Sequence, residues 1–142
     1  MKIAIINGPN LNLTGVREKE MYGTHTFESF IETMQQNYPG LELHYFQSNI
    51  EGEIINEIQR VGFEFHGIIL NPGGYTHTSV AIGDAVAAIP ANVIEVHLSN
   101  IMGREDFRKI SHVSAKANGV ISGLGLKGYE LAIQFFISKS IN

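Results

Sequence analysis

Five short apolar runs alternate with stretches of helical periodicity from one end of this chain to the other, and few folds accommodate such a string. Residues 3–6, 41–46, 67–70, 93–96 and 118–122 read as strands, punctuated by Asn, Gly and Pro. All but the second are dominated by aliphatic side chains, the pattern of parallel strands covered on both faces. Between the first two, Phe27, Phe30, Ile31, Met34 and Tyr38 recur at helical spacing, with Thr26 as N-cap and Pro39-Gly40 as the stop. In the next interval Ser48-Asn49-Ile50-Glu51 has the form of a capping box. Ile50, Ile54, Ile55, Ile58 and Val61 form its apolar stripe, and Gly62 is placed as the C′ glycine. A third helix is expected over 79–89 and a last one over 125–138, through Leu131, Phe135 and Phe136.

At 142 residues the chain is long enough to bury a real core as one domain. Neither an internal repeat nor a linker divides it, so a single domain over 1–142 is expected. The element string predicts an α/β three-layer sandwich around a five-stranded parallel sheet, strand order 2-1-3-4-5, the flavodoxin-like arrangement.

The third helix carries one charge, Asp84, in an otherwise apolar stretch. A helix apolar all round must be covered on both sides, by the sheet and by another subunit. The plainer reading leaves Asp84 facing solvent at a thin rim. A charged fraction of only 17% points the same way as the helix, although compositional scatter explains it equally well. The net charge of −4, with no Lys/Arg-rich run, argues against nucleic acid as partner. There is no cysteine, which excludes disulfides and thiolate metal ligands. No apolar run approaches the ~20 residues needed to span a bilayer, and the N-terminus is too short and unflanked for a signal peptide. The expectation is a soluble, cytoplasmic protein.

Chemistry concentrates where strands run out, the place where open α/β sheets bind ligands. Glu95, His97 and Ser99 alternate along an extended segment and so share a face. A carboxylate two residues before a histidine can orient the ring and support its protonated form, making His97 a candidate general acid. A core hydrogen bond from Glu95 to backbone is the blander option. Asn71-Pro72-Gly73-Gly74 turns the chain before His77 and exposes backbone amides, and Asn7-Gly8-Pro9-Asn10 does the same after the first strand. Residues 8–25 lack periodicity and form an unusually long connection, the length of a lid, with Gly15 and Gly23 as hinges. Within it a guanidinium at Arg17 would favour the phenolate of Tyr22, a candidate general base, although for this pair alone an exposed loop tyrosine and a solvated arginine is the better reading. His25, His44, His66 and His112 have no partners in pattern and read as structural or solvated. Of four arginines, Arg17, Arg104 and Arg108 follow strands, which favours an acidic small-molecule substrate. No metal-ligand spacing, dinucleotide fingerprint or P-loop occurs, so no cofactor is expected.

The blocks Ile5-Ile6-Asn7-Gly8-Pro9-Asn10-Leu11-Asn12, Arg17-Glu18, Tyr22-Gly23, Gln47-Ser48-Asn49, Leu70 to Ser79, Glu95 to Asn100 and Arg104 to Arg108 resemble those of type II 3-dehydroquinate dehydratases, in order and across essentially the whole chain. The resemblance implies anti elimination of water from 3-dehydroquinate to 3-dehydroshikimate through an enolate, without metal or organic cofactor. It implies a homododecamer built from trimers. Carried over, Tyr22 is the base at C2 with Arg17 supporting its phenolate, and His97 protonates the C1 hydroxyl with Glu95 orienting it. Asn10 holds a water near the enolate oxygen. Asn71 and the backbone at Leu98 and Ser99 hold the carboxylate, His77 and Arg108 the ring hydroxyls, and Asp84 enters from a neighbouring subunit. The chain departs from the family pattern at Met102-Gly103, where a His-Ala pair is common, and at Gly83, where a larger residue is frequent. Aromatic biosynthesis and quinate breakdown both use this reaction and are left open. A non-catalytic flavodoxin-like signalling or nucleotide-binding module is one rival, disfavoured because Asn7-Gly8-Pro9-Asn10 offers neither clustered acids nor a phosphate loop; a structural shell protein that lost activity is the other, disfavoured by the presence of Tyr22, Arg17 and His97.

Overall fold

The computed structural model of the chain describes residues 1–16 and 26–140. Arg17, Tyr22, Gly23 and His25 lie outside the described residues. Strands β1 (Lys2–Asn7), β2 (Glu42–Gln47), β3 (Gly67–Asn71), β4 (Asn92–His97) and β5 (Gly119–Ser122) form one sheet in the order β2-β1-β3-β4-β5. Every pairing is parallel. The described helices are α1 (Phe27–Asn37), α2 (Glu51–Gly62), α3 (Val80–Ala87) and α4 (Lys127–Ser140).

Alternation along the strands sorts the core into two layers. Ile3 and Ile5 of β1 point with Ile69 and Val96 toward Phe27, Met34, Tyr129, Ile133 and Phe136 of α1 and α4. Ala4 and Ile6 point with Ile68 and Leu70 toward Ile54, Ile58, Ile82 and Val86 of α2 and α3. Ile54 and Ile58 are fully buried, each worth about 1.5–3 kcal/mol over an exposed side chain. The sheet is thus covered on both faces, and its strands deliver their last residues to one open edge.

Local punctuation departs from expectation in four places. The Thr26 hydroxyl does cap α1, accepting the Ser29 N–H at 3.2 Å. At α2 the capping box does not form: Ile50 is the N-cap residue, and Ser48 accepts the Ile50 N–H while donating to Glu53. Ser48 prefers this tight local turn to reaching the helix's first N–H groups. Ile50 is consequently 58% exposed and outside the stripe, whereas Glu57 is buried in it. Gly62 ends α2 within the helix instead of following it; a Cβ there would lie 2.5 Å from Ile89, so it is close packing that calls for glycine. The third helix is shorter than expected at both ends: Ser79 caps its start, accepting the Ile82 N–H at 2.9 Å, and Ala88 already serves as its C-cap. Helix α4 starts later, and Phe135 is exposed while Tyr129, Ala132, Ile133 and Phe136 are buried.

Helix α3 presses Ile82, Gly83, Ala85 and Val86 inward and leaves Val80, Ala81, Asp84 and Ala87 exposed in the single chain. Gly83 is the point of closest approach: a Cβ would lie 2.3 Å from the carbonyl oxygen of His112. That contact brings the segment 110–114 against the sheet.

Candidate active site

A cleft of about 530 Å³ opens at the carboxyl ends of β1, β3 and β4. Asn10, Asn71, His77, His97, Leu98, Ser99 and Arg108, all candidates on sequence grounds, line it. Arg104, one of the arginines that favour an acidic substrate, also lines it, as does Thr14, which was not singled out. Glu95 lies behind His97, and Asp84 sits apart on the exposed side of α3.

The cleft's chemistry rests on β4. Glu95 is fully buried and His97 is 5% exposed, with the His97 Nε2 2.6 Å from Glu95 Oε1. Among the described residues no backbone group serves the Glu95 carboxyl; its other partners are hydroxyls. Thr76 Oγ1 lies 2.5 Å from Oε1 and Ser111 Oγ 3.3 Å, while Ser114 Oγ bonds Oε2. Burial alone would push this carboxyl up, but the hydrogen bonds from His97, Ser114 and Thr76, with the imidazole charge, hold it below the ordinary carboxylate range. An ionised Glu95 accepts the Nε2–H of His97 and leaves the ring's other nitrogen for the cleft.

The floor is amide-rich. Asn7 and Asn71 are register partners at the ends of β1 and β3, and both are buried. Asn71 Nδ2 donates to the Tyr129 hydroxyl at 2.8 Å, and that hydroxyl donates to Asn7 Oδ1 at 2.8 Å. Asn71 Oδ1 accepts the Gly73 N–H at 3.1 Å, which closes the turn. Asn10 takes a left-handed conformation (φ 70°), its N–H held by Asn49 Oδ1 at 3.0 Å. Gln47 Nε2 donates to both Gly8 O and Asn49 Oδ1 at 3.1 Å, which accounts for the Gln47-Ser48-Asn49 block.

On the far wall His77 Nδ1 donates to Ile110 O at 2.7 Å, and its ring lies 6.4 Å from that of His97. A carbonyl can only accept, so His77 presents its other nitrogen as an acceptor when neutral. Arg108 Nε bonds Glu105 at 2.7 Å, and its guanidinium lies 5.0 Å from the Phe107 ring centre. The carbonyls of His97 and Leu98 are taken by the N–H groups of Gly123 and Gly125 at 3.1 and 3.0 Å. In trans peptides this turns the Leu98 and Ser99 N–H groups away from that segment. The result is a cleft with an acid on one strand, two arginines at its mouth and polar donors on its floor, suited to a small hydroxylated anion.

Thr76, Ser111, Ser114 and Tyr129 were not anticipated. Thr76 stands inside a recognised block, so its position was visible but its target was not. His44 is structural, as expected, through a partner that no local pattern showed: it bonds Glu57 Oε1 at 2.7 Å. His66 is structural, accepting the Lys2 N–H at 3.0 Å. Among the described residues no group of three or more His, Asp or Glu is placed to hold a metal ion. No described helix is long and apolar enough to cross a membrane.

The family model for class II dehydroquinases matches residues 1–137. The chain is 50% identical to the 3-dehydroquinate dehydratase of Fusobacterium nucleatum, covering 96% of this chain and 97% of that one. It is 52% identical to the 3-dehydroquinate dehydratase of Clostridium beijerinckii, covering 100% and 99%. Among solved structures, the type II dehydroquinase of Butyrivibrio crossotus superimposes with a TM-score of 0.89 at 46% identity, over 96% of this chain and 97% of that one. A 3-dehydroquinate dehydratase-like protein of Bifidobacterium longum is more distant, with a TM-score of 0.68 at 26% identity over 96% and 94%.

Proposed function

The chain belongs to the class II dehydroquinases, and from that premise we propose how its cleft carries out the reaction. The protein is a 3-dehydroquinate dehydratase, a hydro-lyase of the shikimate pathway. A non-catalytic role for the fold is set aside with that assignment.

In the proposed mechanism the Tyr22 phenolate, supported by Arg17, takes the C2 proton, and the electron pair moves into an enolate at the neighbouring ketone. Asn10 holds a water at the enolate oxygen. Protonated His97 then passes a proton to the C1 hydroxyl; the C1–O bond breaks toward oxygen, water leaves and the enone forms. Because Nε2 serves Glu95, Nδ1 is the atom that delivers this proton. Asn71 and the Leu98 and Ser99 amides receive the substrate carboxylate, with His77 and Arg108 on the ring hydroxyls. The buried Glu95–His97 pair at the cleft wall carries this reading. The exposed apolar residues around Asp84 on α3 support the further proposal that Asp84 completes a neighbouring site within a homododecamer of trimers. The single-domain organisation and cytoplasmic residence belong to the same proposal.

The test follows the ultraviolet absorbance of the enone on adding 3-dehydroquinate. The parent should produce it, whereas Tyr22→Phe should lose essentially all turnover while keeping its fold. Retained turnover in Tyr22→Phe would remove that residue from the base role.

A further inference from the structure

Resting on the dehydratase reading, we propose that Thr76, Ser111 and Ser114 form a one-way donor relay that keeps Glu95 an acceptor toward His97. These three are positioning residues: they act on the substrate through the pair on β4.

The direction of the relay follows from counting hydrogens. Ser111 Oγ accepts two backbone N–H groups, from Val113 at 3.1 Å and Ser114 at 2.9 Å. Its lone pairs are thereby filled, and its single hydrogen must be given away. The nearest acceptor is Thr76 Oγ1 at 2.8 Å, nearer than Glu95 Oε1 at 3.3 Å. Thr76, having accepted, turns its own hydrogen onto Glu95 Oε1 at 2.5 Å. Ser114 supplies Oε2. Two peptide N–H groups therefore dictate, through two hydroxyls, that Oε1 receives a proton donor and never has to supply one. Reversing Thr76 so that it accepted from Glu95 Oε1 would set it against Ser111, whose hydrogen those two peptide N–H groups direct at Thr76.

The chemistry of the donors matters as much as their direction. All three are neutral, so they steady the carboxylate without cancelling its charge, and that charge remains available to the imidazolium of His97. Among the described residues, the other charged or titratable groups facing the pair are His77, stacked on His97, and Arg104 and Arg108 at the same cleft. The relay also explains the glycine at position 83, where the backbone of α3 lets the carbonyl of His112 approach. The same segment is tied down by the His112 N–H on Thr76 O at 2.8 Å, which holds Ser111 and Ser114 over Glu95.

The test uses the full chain with carbon-13 in its glutamate carboxyl groups. The Glu95 resonance is followed on acidification without substrate, and kcat and KM are measured on the same proteins. Thr76→Val and Ser114→Ala should each raise the pH at which Glu95 takes up its proton. Each should lower kcat roughly tenfold to a hundredfold, the worth of one hydrogen bond to a charged group, and leave KM near the parent value. Thr76→Ser keeps the hydroxyl and should recover most of both. An unmoved Glu95 titration in Thr76→Val and Ser114→Ala overturns the relay, whatever happens to turnover. A parent protein inactive on 3-dehydroquinate would overturn the functional reading instead, and the titration would still judge the relay.

Discussion

Among the described residues stand two histidine–glutamate pairs of nearly equal length, His97–Glu95 at 2.6 Å and His44–Glu57 at 2.7 Å, and only His97 lines the cleft. Both carboxyls are held below their ordinary range against burial that would raise them. What differs is the rest of the company. Glu57 receives the Arg60 guanidinium at 2.7 and 3.0 Å, and Arg60 also lies 3.2 Å from His44. A permanent cation already neutralises that carboxylate. Glu95 is served by three neutral hydroxyls, so its full charge faces His97. The His44–Glu57 pair fastens β2 to α2 at the protein surface; the His97–Glu95 pair is sealed except on the cleft side. A short Glu–His distance alone therefore says little about catalysis.

The comparison breaks most sharply on removing each charge. Glu95→Gln should lower kcat by about a hundredfold or more, the scale of general acid catalysis. Glu57→Gln should leave kcat alone and cost about 1 kcal/mol of stability, measured by urea denaturation. Equal losses of turnover in both would erase the distinction drawn here.

A smaller effect is expected from Gly83→Ala. Its Cβ must displace the His112 carbonyl, which is backbone and cannot swing aside. The overpacking should cost about 1–3 kcal/mol, and kcat should fall because Ser111 and Ser114 move off Glu95. Lost stability with unchanged kcat would show that the hydroxyls tolerate displacement.

The smallest effect concerns acid. A carboxyl with a depressed folded value contributes stability that is complete above its unfolded value, near 4.3, and is lost as pH falls through the folded one. Urea midpoints should therefore drop below about pH 4 in the parent and drop less in Glu57→Gln. An identical slope in both proteins would mean that Glu57 is not depressed.

The strand order and both core layers were legible because period-2 and helical spacing survive in single runs such as Ile3–Ile6 and Ile54–Ile58. Glu95 and His97 were legible for the same reason, standing two residues apart on one strand. Their supports were not. Thr76 and Ser114 each lie 19 residues from Glu95 in opposite directions along the chain, and Ser111 and Ser114 fall in an aperiodic segment that the contacts of His112 with Gly83 and Thr76 bring home. His44 and Glu57 sit on different elements, so nothing local links them. The false capping box at Ser48 shows the converse: a correct local motif lost to a tighter turn and to Glu53.

Neutron diffraction from deuterium-exchanged crystals tests the central claim most directly, because it sees the hydrogens on the buried pair. The account predicts deuterium on His97 Nε2, none on Glu95, the Ser111 deuteron aimed at Thr76, and the Thr76 deuteron aimed at Oε1. Deuterium on either Glu95 oxygen near neutral pH, or a Thr76 hydroxyl turned toward Ser111, would contradict it.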